Sequence, residues 1–242
     1  MNDNLKTNIS LEENEAFGSP NYEVVRAFLY MVDVNMMTAL ERPIFSTQKC
    51  FVTHKKEYPM CAKFGENHLI FLSTRDNYWC QWVYQFAHEY CHHLINGQLS
   101  GDWSTMLWFE ETLCELSSLY NIHIMVDFCV THGLPNYAPC VQQYLDTLLF
   151  ENKDVYKLSE EGGWYKNYAE SLSTAPYKRE LYNAIAALIY PLFIENPKLW
   201  KLIQHIGDIR SWASLNVLFE HLQYTADTSY ADFLRKLRGM FT

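Results

Sequence analysis

The sequence has no cluster of lysine and arginine able to track a phosphate backbone. Its 28 acidic side chains outnumber 19 basic ones for a net charge of −9, which argues against nucleic acid as a partner. Long apolar runs are missing too. The longest, Ala184 to Ile194, is eleven residues, against the roughly twenty that cross a bilayer. The first twenty residues lack a basic segment followed by an apolar one, so neither a membrane span nor a secretory leader is expected. No cysteines are spaced C-x-x-C and their number is odd at seven, which points to buried free thiols in a reducing, cytoplasmic setting.

What is present is material for a core: 242 residues, 49% hydrophobic and 16% aromatic, enough for one large domain or a closely joined pair. Residues 1–20 read as a flexible, polar arm. Apolar side chains at helical spacing predict a helix over 22–40, stopped by Pro43. Short segments around Ile44–Thr53 and Asn67–Ser73 predict a small sheet. Helical periods then follow over 76–96, about 104–132, 137–150, 177–195, 198–206, 211–225 and 229–241, while 153–176 reads as a loop near a cleft. The expected fold class is therefore α+β, a small N-terminal sheet and a site-bearing helix within 21–135, then a mainly helical part over 136–242 forming the other side of a cleft.

The stretch FAHEYCHHLING, Phe86 to Gly97, holds three of the nine histidines beside one glutamate. Trp79, Trp82, Val83, Phe86, Ala87, Tyr90 and Leu94 form an apolar stripe that argues for a helix independently of the histidines. Gln81, Gln85, His88 and His92 form a polar stripe, the mark of a wet cleft. On a helix His88 and His92 stack four apart, with Cβ atoms roughly 5–6 Å apart, a spacing that lets two imidazoles reach one zinc ion. Glu89 stands beside them as a general base for water activated by the metal. His93 is about 100° round the helix and faces elsewhere. A catalytic zinc wants a third protein ligand; after His92 come eighteen residues and then Glu111. Glu115, four residues on, would orient a ligand histidine through its other ring nitrogen, whereas Glu110 lines up with Cys114.

The pattern His88-Glu89-x-x-His92, eighteen residues, Glu111, with the local text W-F-E-E-T-L from Trp108 to Leu113, resembles the gluzincin metallopeptidases, aminopeptidase N among them. The resemblance covers about thirty residues and implies a zincin-like fold, Zn2+ held by His88, His92 and Glu111, and Glu89 as base. Such enzymes use a downstream tyrosine to stabilise the oxyanion; Tyr165, Tyr168, Tyr177 and Tyr182 all lie in range, and Tyr177 is the one chosen. No G-x-M-E-N-like segment precedes the helix, so endopeptidase rather than aminopeptidase action is expected. The chain's size and its A-H-E-x-x-H helix are also similar to the ImmA/IrrE-type metallopeptidases.

The expected function is a zinc-dependent metallopeptidase acting on a peptide or protein substrate, with no nucleic acid or membrane partner. The alternative is a zincin-fold binding or regulatory protein that no longer turns over. The Asn67–Ser73 segment reads equally as a strand bounding the cleft or as a buried inner strand. Trp164, Tyr165 and Tyr168 read equally as cleft walls or as core.

Overall fold

The structure, a computed structural model, describes residues 8–42, 49–95, 106–150, 158, 163–174, 178–206 and 214–242. Four strands form one sheet: β1 (Ile9–Leu11), β2 (Cys50–His54), β3 (Met60–Phe64) and β4 (Asn67–Leu72), in the order β1-β2-β4-β3. β2 runs parallel to β1 and β4, whereas β3 pairs antiparallel with β4. The helices are α1 (Tyr22–Ala39), α2 (Trp79–Ile95), α3 (Leu107–Thr131), α4 (Ala138–Phe150), α5 (Trp164–Thr174), α6 (Arg179–Glu195), α7 (Ile203–Ile206), α8 (Leu215–Thr225) and α9 (Ala231–Gly239). This is an α+β fold, a small sheet on a mainly helical body.

Two expectations are corrected, and one left open is decided. Residues 8–20 are not a free arm: Ile9–Leu11 pairs with Cys50–Val52, and Phe17 is fully buried against Trp82. The chain turns after Phe17 at Gly18, whose φ of 77° and whose approach to Asp76 leave no room for a side chain. Within the stretch expected as a loop over 153–176, Trp164–Thr174 is helical. Of the two readings of Asn67–Ser73 the inner strand holds, since it supplies β4, and among the described residues the edge on this side of the sheet is β3.

One face of the sheet lies on α2. Alternation in β4 turns His68, Ile70 and Leu72 inward, where all three are buried. The apolar stripe of α2 behaves as its period requires, with Trp82, Val83, Phe86 and Ala87 fully buried. Each such large side chain contributes about 1.5–3 kcal/mol through burial. Gln85 leaves the polar stripe to accept from the backbone N–H groups of Ser73 and Thr74 at 2.9 and 3.0 Å, which ties the end of β4 to α2.

α3 is the central helix and packs against α2, α4 and α6. By length and composition it would suffice to cross a membrane, but 67% of its most apolar window is buried inside the protein, as befits a core helix. Small side chains let α2 and α3 approach closely. Ser117 Oγ donates to the Ala87 carbonyl at 2.9 Å and Ser118 Oγ to the Tyr84 carbonyl at 2.8 Å. Farther along, Trp164 and Tyr165 of α5 pack on Phe241, Tyr165 also meets Trp108, and Trp164 Nε1 donates to the Met240 carbonyl at 2.7 Å. These two rings belong to core packing.

Candidate metal centre

The close approach of α2 and α3 brings two histidines from one helix against three carboxylates from the other. Glu111 Oε2 lies 3.4 Å from His88 Nε2, and Glu111 Oε1 lies 3.6 Å from His92 Nε2. On the far side of each ring stands a different acid. His92 Nδ1 is 2.7 Å from Glu110 Oε1, a full hydrogen bond, while His88 Nδ1 is 3.6 Å from Glu115 Oε1, beyond hydrogen-bond reach. Glu110 and Glu115 are both buried. The donor atoms of His88, His92 and the fully buried Cys114 lie within 4.8 Å of one another, a group that could hold a metal ion.

Glu89 is 6% exposed and lies by the Cys61 backbone of β3, which favours its charged form. Burial raises its carboxyl above the ordinary value; the two imidazoles pull the other way, and Glu111 adds to the rise. Burial works against charge on His92, but Glu110, Glu111 and Glu89 outweigh it and raise that imidazole to about 10. His88 is likewise held up, against burial, by Glu111, Glu115 and Glu89. Glu111 is held low despite burial, by His88 first and then His92. The Cys114 thiol is pushed well up by burial, then by Cys91 and the nearby glutamates.

His93 is turned away from this group, as its position on the helix requires. Its Nδ1 meets His68 Nδ1 at 2.8 Å between α2 and the sheet, and its ring stacks on Tyr90. Tyr177 lies outside the described residues. Sequence reasoning missed Glu110, whose contact with His92 depends on how α3 crosses α2. It also missed Arg179, at the start of α6, whose Nε lies 3.3 Å from Glu115 Oε1. The chain matches no known protein-family profile and no curated protein.

Proposed function

We propose that this chain is a zinc-dependent metallopeptidase of the gluzincin type, with a zincin-like core, in which His88, His92 and Glu111 hold the ion. The observation that carries the reading is the pair of separations between the Glu111 carboxylate and the two Nε2 atoms, 3.4 and 3.6 Å. They exceed the roughly 2.7–3.2 Å of an N–H···O hydrogen bond. Each is close to the spacing of about 3.3–3.6 Å between neighbouring ligands of a tetrahedral ion with bonds of roughly 2.0–2.2 Å, with Oε2 of the carboxylate toward His88 and Oε1 toward His92. Glu111 suits the third place better than Cys114 because its carboxylate is already ionised, while the buried thiol must first lose a proton that its surroundings hold.

A bound zinc ion would supply Lewis acidity, polarising the scissile carbonyl and acidifying water. Glu110 acts from behind the His92 ring, fixing the tautomer that leaves its Nε2 facing Glu111, while Glu115 places a negative charge behind His88. Glu89, beside the Cys61 backbone, takes the proton from water and passes it to the leaving amine. Among the described residues β3 is paired on one side only, which supports action within a chain, since an extended peptide can add to that edge beside Glu89.

A second reading, a metal-holding scaffold without turnover, is favoured by Cys114, which gives the site a further protein donor. Metal analysis and peptide-library cleavage, run on wild type and Glu89→Gln, decide between them. The peptidase reading expects one zinc per chain in both and cleavage only by wild type. Equal, negligible cleavage by both supports the scaffold, and absence of stoichiometric metal overturns both.

A further inference from the structure

Behind His88 the Glu115 carboxylate is a junction of three helices. Tyr84 of α2 donates to its Oε2, and Arg179 of α6 reaches its Oε1 at 3.3 Å. With its amide turned to satisfy both ends, Asn183 donates to the same oxygen at 3.3 Å and to the Arg179 carbonyl at 3.1 Å. The carboxylate side chain is 4% exposed, but that of Arg179 is 69% exposed. A long cation held at its Nε by a buried acid is fixed in place, while most of its side chain is exposed.

Position adds to this. One oxygen, Glu115 Oε1, lies 3.6 Å from His88 Nδ1 and 3.3 Å from Arg179 Nε, so the guanidinium stands behind the His88 ring, one residue removed from the proposed centre. Arg179 is also the first residue of its helix, with Lys178 before it. Cations there oppose the helix dipole, so local helix stability does not explain them. An anchored guanidinium with an open edge is suited to bidentate recognition of a carboxylate.

Resting on the metallopeptidase reading of the same site, we infer that Arg179 receives a carboxylate of the substrate, either a chain terminus or an acidic side chain, and so sets a preference for acidic peptides. At roughly 3.4 Å per extended residue, a carboxylate up to about three residues from the scissile bond is within reach. Glu115 is then shared: its charge stands behind His88 on one side and it holds the substrate-reading arginine on the other. Arg179 is a specificity-determining residue, and its effect belongs in substrate affinity more than in the chemical step.

The test uses a labelled tetra-alanine peptide as free acid, as C-terminal amide, and as an amide carrying one glutamate, which separates the two sources of carboxylate. Binding is measured by fluorescence polarisation to zinc-loaded Glu89→Gln protein, with and without Arg179→Met, so the result does not depend on turnover. At least one acidic form should bind about tenfold tighter than the neutral amide, and Arg179→Met should abolish that difference. Arg179→Lys, which keeps the charge without the fork, should restore part of it. With any library peptide that wild type cleaves, the acid-to-amide preference should appear in KM rather than kcat. Equal binding of all three peptides, or a preference that survives Arg179→Met in a protein whose thermal melt is unchanged, overturns the inference. Failure of wild type to cleave any peptide sinks the peptidase reading and leaves the binding result to judge Arg179.

Discussion

Removing the carboxylate of Glu110 is the sharpest perturbation of the proposed centre, because it leaves all three proposed ligands in place. Glu110 Oε1 sits 2.7 Å from His92 Nδ1, and both side chains are largely shielded from water. When His92 Nε2 serves an ion, Nδ1 must carry the proton, and Glu110 is its acceptor. In Glu110→Ala that N–H is buried without a partner, at a cost of about 1–3 kcal/mol, and the ring loses its stop. Loss of such a partner costs about 10- to 100-fold in metal affinity. One effect opposes it: the same carboxylate helps raise metal-free His92 to about 10, so zinc must displace a proton there that the variant binds less tightly. The net loss at pH 7 therefore falls at the lower end, about tenfold, or about 1.4 kcal/mol. Glu110→Gln, which keeps an acceptor without the charge, should lose less. Competition with a chromophoric zinc chelator measures both. A folded Glu110→Ala protein that binds zinc as tightly as wild type would refute the role given to Glu110.

Two further predictions concern the frame around the centre. Ser117→Leu forces a larger side chain into the fully buried crossing of α2 and α3, at a cost of about 1–3 kcal/mol, and pushes Glu111 away from the histidines. Urea melts should show the destabilisation and chelator competition a loss of zinc affinity of tenfold or more. Ser117→Ala, losing one hydrogen bond worth about 1 kcal/mol, should keep its affinity within about threefold. Burial first, and then Lys63, depress the His68 imidazole below its ordinary value. A folded value below the unfolded one means the fold favours neutral His68. Its contribution is therefore complete above the unfolded value of about 6.5 and is lost as pH falls below it. Urea melts from pH 7 to pH 5 should show falling stability in wild type and a shallower fall in His68→Gln; parallel slopes would contradict this.

Much of the frame is legible from spacing alone. The helices over 22–40 and 137–150 end within about two residues of the places their apolar periods and breakers imply, since a buried stripe must repeat with the helical turn. β1 was not legible, because three residues carry too little pattern and their pairing with β2 is a contact between distant parts of the chain. α5 was obscured by its flanking turn residues, and its place comes from Trp164 and Tyr165 packing against the C-terminal segment.

The same division runs through the site. Local period alone was enough to set His88 and His92 on one helical face with Glu89 beside them, and to turn His93 off it, because one turn of helix settles such relations. Which acid meets which ring nitrogen follows from the crossing of α2 and α3, fixed by Ser117, Ser118 and the small residues between the helices. That crossing sets Glu111 before both Nε2 atoms, Glu110 behind His92 and Cys114 close by. Arg179, sixty-four residues after Glu115, joins it only because α6 packs on α3. Contacts between elements depend on the angle and depth of packing, and a one-dimensional spacing carries neither.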